Sequence, residues 1–443
     1  MEIDALYLSR LQFGLTTAFH IMFPTMTIGT ALFLAFLEGA WLRTGKHVYL
    51  RLYRFWVELF ALAFGIGVVS GVVLTFEFGL NFSGYSNFIG DVLGPLIGYE
   101  VFTAFFLEAG FIGIMLFGER RVGPRLHFFA TCMVALGTTF SAFWILSANS
   151  WMQTPAGYEI SAAGYAVPVD WMEVIFNPSF PYRLAHMLNA SLVSSSFVIA
   201  GVSAWCVWKN RERETMLTCL KLALLMAVIT APLQAFLGDQ HGLNTLIYQP
   251  IKIAAIEGHW YSVSEAPLVL FAWPDMELEK NLYEISVPYL GSLILTHTLD
   301  GTLPGLHDVA KEDWPYVPLV FFAFRIMAGL GFLMIGAAFL GQWLRYRKKL
   351  AESVWYLKLL ILMGPAGIAA TIAGWVTTEA GRQPWVVHGL LRTSDAVTPS
   401  LTTETVAISL IAVSVVYTVI LLVFLKVGAR LIARGPDSAM GES

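Results

Sequence analysis

The chain has 443 residues, 57% of them hydrophobic and only 13% charged, against roughly a quarter charged in an ordinary soluble domain, so it reads as a membrane protein. Its formal net charge of −4, from 27 basic and 31 acidic residues, lacks the concentrated positive charge that nucleic acid requires, and that class of partner is excluded. Cys132, Cys206 and Cys219 fall in or beside apolar segments and form neither a CxxC pair nor a disulfide framework.

The start, "MEIDALYLSRLQF", has no basic region leading into a short apolar core and a small-residue cleavage site, so the first helix is expected to be retained. A spanning helix needs about 20 mostly apolar residues. Nine such stretches follow in order: 13–42, 55–78, 99–118, 127–148, 184–208, 217–237, 317–343, 355–377 and 404–426. A β-barrel would alternate in polarity over segments of about ten residues, and these runs do not. The predicted fold is all-α, a polytopic helical bundle. Its expected parts are six helices in 1–237, an outer loop at 238–318, and three helices with a tail in 319–443.

Most of the basic residues cluster after alternate helices: Arg43, Lys46, Arg51 and Arg54; Arg120, Arg121 and Arg125; Lys209, Arg211 and Arg213; Arg345, Arg347, Lys348 and Lys349; and Lys426, Arg430 and Arg434 in the tail. Residues 79–99 and 149–182 contain none. Short cytoplasmic loops retain positive charge, which puts the N-terminus outside, the C-terminus in the cytoplasm and the 238–318 loop outside. A loop of that length without its own apolar span is usually functional.

Ionisable residues in spanning helices are costly and usually face a ligand, a water path or the bundle interior. His20 ("LTTAFHIMFP"), Glu100 and Glu108 ("GYEVFTAFFLEAG"), His186 ("PYRLAHMLNAS"), Arg325 and Met327 ("FFAFRIMAGLGF") and Glu379 ("GWVTTEAGRQPW") all fall in the outer half by this orientation, where a single cluster is expected. Imidazole and thioether together suit a low-spin haem iron. The plainer alternative is a histidine bonded to a neighbouring helix and a methionine filling the core. Glu100 and Glu108 are eight residues apart, roughly 80° around a helix and about 12 Å along it, as successive stations of a proton path or as carboxylates each paired with an arginine. In "QPIKIAAIEGHW", Lys252 and Glu257 are five apart, a spacing that does not align side chains on a helix. They are either a solvated ion pair or a cation and a carboxylate that hold a quinone head group.

Seven motifs in order carry a resemblance over nearly the whole chain: "FHIMFP", "GPLIGYEVFTAFFLEAGFIGIMLFG", "NSWMQTPAGYE", "NPSFPYRLAHM", "KIAAIEGHW", "FRIMAGLG" and "GWVTTEAGRQPW". The sequence resembles subunit I of the cytochrome bd-type quinol oxidases. "GDQHGLN", "EGHW" and "GRQPWVVHGLLRT" look most like the cyanide-insensitive branch with a short quinol loop. The resemblance implies three haems: a low-spin haem b, a high-spin haem b, and haem d or a third haem b in its place. It implies His186 and Met327 as ligands of the low-spin haem iron, Arg325 beside its propionates, and His20 and Glu379 as ligands of the other two irons, in an order left open. Glu100 is implied at the oxygen-reducing site, as ligand or final proton donor. Glu108 is implied on the proton path with Ser141 beside it, and Lys252 and Glu257 in quinol oxidation. Trp375 is implied among the haems, while Arg382 serves propionates or fixes the turn at Pro384. The implied activity is quinol oxidation outside and reduction of O2 to water with protons from inside, electrogenic without a pump. The implied partners are a haem-free membrane subunit II and, in some members, a single-helix peptide, in the bacterial cytoplasmic membrane. Two other classes fit the residues less well. A proton-coupled transporter favours internal repeats and a midplane site, and a quinol-oxidising cytochrome without O2 reduction is disfavoured only through the resemblance, which implies His20 and Glu379 as ligands of further irons.

Overall fold

A computed structural model describes residues 4–436, which are mostly helical. In chain order the helices are α1 (Ala5–Thr44), α2 (His47–Leu80), α3 (Ser83–Glu100), a π-turn (Val101–Phe105) leading into α4 (Phe106–Phe117), α5 (Pro124–Gln153), α6 (Trp171–Ile175), α7 (Phe180–Trp208), α8 (Arg213–Tyr248), α9 (Pro250–Glu257), α10 (Leu290–Thr296), α11 (Val317–Tyr346), α12 (Val354–Met363), α13 (Ala366–Ala380), α14 (Thr393–Ala396) and α15 (Thr403–Arg434). Among the described residues nine stretches are long and apolar enough to cross a membrane, as expected, with α3 and α4 continuing as one span and α12 and α13 as another. A helix bonds its own backbone internally, the condition for crossing lipid. Among the described residues the strands form four two-stranded antiparallel pairs, all outside these spans.

Burial sorts the helices. The span ending in α7 is 72% buried, and α15 only 6%. α7 is rich in Ser and Ala, and small residues let backbones approach closely. A Cβ on Gly29 of α1 would lie 2.5 Å from Ser191 O, and one on Gly367 of α13 2.5 Å from Ser194 Cα. By contrast α15 exposes Ile408, Ile411, Val415, Val419 and Leu422, an apolar face suited to lipid or another membrane subunit.

Most spans run beyond the bounds of the hydropathy reading, and three of these boundaries change the picture. The first helix begins at Ala5, where Asp4 caps it by accepting from Tyr7 N at 2.7 Å. The third span begins at Ser83 instead of 99. Gly, Ser, Pro and Asp lower the hydropathy of 83–98, yet Tyr85, Ile89, Val92, Leu93 and Leu96 are buried at helical spacing. α8 runs on to Tyr248 through the polar stretch "GDQHGLN". The expected loop at 238–318 therefore starts inside a helix, and the connection proper is 249–316. That connection holds α9, α10 and the hairpin of Leu268–Asp275 with Lys280–Val287.

Candidate functional site

Glu379, in the last turn of α13, lies where four elements meet. Asn149 Nδ2 and Gln153 Nε2 of α5 each donate to its Oε1 at 3.2 Å. Arg382 donates to Oε2, and Arg183 of α7 stands 3.8 Å from Oε1 while donating to Asn149 Oδ1. Lys252 of α9 reaches in and donates to Gln153 Oε1 at 2.6 Å. Its stem crosses Gly381, where a Cβ would lie 2.8 Å from Lys252 Cγ. Three basic side chains thus face one carboxylate. Burial pushes the Lys252 ammonium well below its usual pKa, and Arg183 and Arg382 push the same way against the pull of Glu379. His388, in the turn of the hairpin formed by Trp385–Val387 and Leu391–Arg392, is likewise lowered to about 4 by burial, with Lys252 and Arg382 adding to it. Arg183 Nε and Arg382 Nε and Nη1 are buried without hydrogen-bond partners. Buried donors are rarely left unpaired, so this corner has donors to spare for a further acceptor.

Three other side chains share one feature, a glycine opposite. A Cβ on Gly374 of α13 would lie 2.6 Å from Met327 Sδ on α11. One on Gly238 of α8 would lie 3.3 Å from His186 Cε1, and one on Gly71 of α2 would lie 3.1 Å from His20 Cε1. His186 Nε2 meets Gln234 Nε2 at 3.1 Å, its Nδ1 is buried and unpartnered, and the His241 ring lies 5.5 Å from its own. Ser70 donates its hydroxyl to Gly67 O, so His20 Nδ1 serves as donor to Ser70 Oγ at 3.0 Å. That tautomer leaves the His20 Nε2 lone pair available. Trp375 follows Gly374 and precedes Glu379 by about one turn of α13.

α5 also positions the two carboxylates of the third span. Ser141 donates to Glu100 Oε1 at 2.8 Å, and a Cβ on Gly137 would lie 2.6 Å from Glu108 Cγ. An unbroken α-helix would set Glu108 well around from Glu100. The π-turn between them takes more residues per turn and brings both onto α5. Among the described residues neither carboxylate pairs with an arginine, so the ion-pair alternative falls. From Gly137 to Gln153, α5 therefore passes Glu108, Glu100 and Glu379 in turn over about 24 Å.

In the connection after α8, Lys252 and Glu257 are both buried, at 6% and 5% exposure, and they do not pair with each other. A solvated ion pair is thereby excluded. Lys252 faces Gln153. Glu257 lies within the field of Arg325, and burial raises its pKa against the pull of that charge. Arg325 directs its N–H groups to Ile256 O at 2.7 Å, Phe321 O at 3.2 Å and Val269 O, with its guanidinium 3.3 Å over the Phe321 ring. It clamps the connection to α11, whereas the open guanidinium nitrogens belong to Arg183 and Arg382. Burial also lowers His259.

The expected single cluster resolves into separate stations. Arg183, one turn from His186, ties that histidine to the Glu379 corner. Gly374 ties Met327 to the same helix as Glu379, and His20 packs on the α1–α2 seam against Ser70 and Gly71. Asn149, Gln153 and Arg183 lie inside the motifs quoted above but drew no role from them, and neither did Gln234 or His241. The polar residues that interrupt "APLQAFLGDQHG" are the signal for those last two.

The family described as cytochrome bd terminal oxidase subunit I matches residues 8–436. The chain belongs to that family. It is 38% identical to cytochrome bd ubiquinol oxidase subunit 1 of Bacillus subtilis (strain 168), over 98% of this chain and 95% of that one. It is 31% identical to cytochrome bd-II ubiquinol oxidase subunit 1 of Escherichia coli (strain K12), over 99% and 98%. Its fold matches the structure of bd oxidase from Geobacillus thermodenitrificans with a TM-score of 0.91 at 30% identity, covering 97% of this chain and 99% of that one.

Proposed function

We propose that this chain is the haem-bearing subunit of a bacterial terminal quinol oxidase that takes electrons from quinol at the outer membrane face and reduces O2 to water. Names of relatives as ubiquinol oxidase subunits support the donor class. The observation that carries the proposal is the glycine set against each of His20, His186 and Met327, with unpartnered guanidinium nitrogens on Arg183 and Arg382 nearby in the fold. These residues fit haem: imidazole and thioether are axial donors to its iron, and open N–H groups suit its propionates. His186 and Met327 would hold a low-spin haem b. His20 and Glu379 would hold the irons of a high-spin haem b and of haem d or a third haem b. Bound haem supplies one-electron transfer and an iron position open to O2.

The chain's own groups handle protons and position. Glu257, with its raised pKa, takes a proton from the quinol hydroxyl, and Lys252, its ammonium weakened by burial, hydrogen-bonds the head group. Arg325 keeps α9 and the hairpin seated on α11. Glu108 and then Glu100 pass protons from the cytoplasmic side, with Ser141 holding Glu100 in place. Arg382 steadies Glu379 and, with Arg183, receives propionates, while Trp375 lies between the Met327 and Glu379 stations. Protons released outside and consumed from inside separate charge without a pump. The N-terminus-out orientation is supported by the clustering of Lys and Arg, and the family name supports a partnering subunit II; quinol and O2 complete the set of partners. Glu257→Ala in the purified complex is expected to retain every haem band and to impair quinol oxidation. Undiminished turnover would remove the site from this connection.

A further inference from the structure

Gln153 closes α5 with its side chain buried to 2% exposure. Both ends of its amide are used. Oε1 accepts from Lys252 Nζ at 2.6 Å and Nε2 donates to Glu379 Oε1 at 3.2 Å. Its main-chain carbonyl accepts from Gln249 Nε2 at 2.7 Å, which fastens the residue preceding α9. A carboxamide can present an oxygen to an ammonium and an NH2 to a carboxylate at once; an ionised carboxylate lacks the donor, and an ammonium lacks the acceptor. It also keeps the two charged groups apart. Without it, Lys252 is free to close on Glu379 as a direct ion pair and to withdraw from the connection that follows α8.

We propose that Gln153 is a positioning residue for quinol oxidation, holding Lys252 toward the quinol with one end of its amide and restraining electron donation by Glu379 with the other. This rests on Lys252 as a quinol-site residue and Glu379 as an iron ligand, as proposed above.

Two variants in the purified, fully assembled oxidase separate the two ends. Gln153→Met keeps the volume and removes both hydrogen bonds. Gln153→Glu keeps an acceptor for Lys252, has no N–H for Glu379 and sets a second carboxylate beside it. Gln153→Met is expected to raise the apparent KM for quinol about tenfold, the scale of one charge-assisted hydrogen bond, with kcat changed less. Gln153→Glu is expected to keep KM near the parent value. Gln153→Glu should lower the midpoint potential of the haem whose band Glu379→Ala removes, since a carboxylate relieved of a donor and set beside a second negative charge stabilises oxidised iron, whereas Lys252 closing on Glu379 in Gln153→Met should raise it. A one-electron shift of about 59 mV corresponds to a tenfold change. An unmoved KM in Gln153→Met, an equal rise in both variants, or an unmoved potential in both would overturn the proposal. If Glu379→Ala leaves every haem band in place, the iron-ligand assignment fails and takes this inference with it. If that band is lost while neither Gln153 variant shifts it, the inference alone fails. Each variant carries both readouts, so failure of one to assemble leaves the other decisive.

Discussion

Gly374 is the most economical test of Met327 as a ligand, because its missing Cβ is what leaves room at the sulfur. Gly374→Ala is expected to perturb the low-spin haem signal in the same sense as Met327→Ala or His186→Ala, each of which should remove that signal and spare the others. Unchanged spectra across the three would overturn the ligand pair. For Glu257 the sign follows from burial, which raises its pKa above the usual carboxylate range. Its proton-accepting form is present above that pKa and lost as pH falls through it. Quinol oxidation should therefore decline on the acidic side, and Glu257→Gln should flatten this limb and lower kcat by about 10²-fold. Persistence of the same limb in the variant, measured as kcat against pH, would assign it to another group. The types of these residues were legible in the sequence, since a histidine or glutamate in an apolar run draws notice by its cost. Their surroundings were not. Neighbours supplied by distant elements cannot be read from spacing: the sequence around Glu379 offers only Arg382, whereas Arg183 and Lys252 arrive from α7 and α9.

α5 is the element that orders the site, with Gly137, Ser141, Asn149 and Gln153 meeting Glu108, Glu100 and Glu379 along its length. Ser141→Ala removes one hydrogen bond to Glu100 and is expected to slow steady-state O2 consumption about fivefold, the worth of roughly 1 kcal/mol, with haem spectra intact. Turnover equal to the parent would take Ser141 off the proton route. Hydropathy located all nine spans because each contains an apolar core long enough to cross lipid. It misplaced the ends of α3 and α8 because polar residues at helix termini can leave the hydrocarbon while the helix continues. The π-turn at Val101–Phe105 left no mark in the composition, for its sequence "VFTAF" reads as ordinary apolar helix.

At the scale of the whole molecule, the distribution of stations along α5 and the buried α9 of the connection at 249–316 favour directional chemistry over a single closed pocket. In proteoliposomes oriented with the N-terminus outward, quinol oxidation should acidify the exterior by one proton per electron; a larger ratio would require a pump. The apolar face of α15 is available for lipid or for another membrane subunit. The central claim, that this chain binds haem and brings O2 to it, is tested most directly by a reduced-minus-oxidised spectrum of the purified complex, followed by carbon monoxide. Haem bands, one set of which shifts with carbon monoxide, are the expected result. Bands unmoved by carbon monoxide would contradict O2 reduction at this chain, and the absence of haem bands from the assembled complex would contradict the account as a whole.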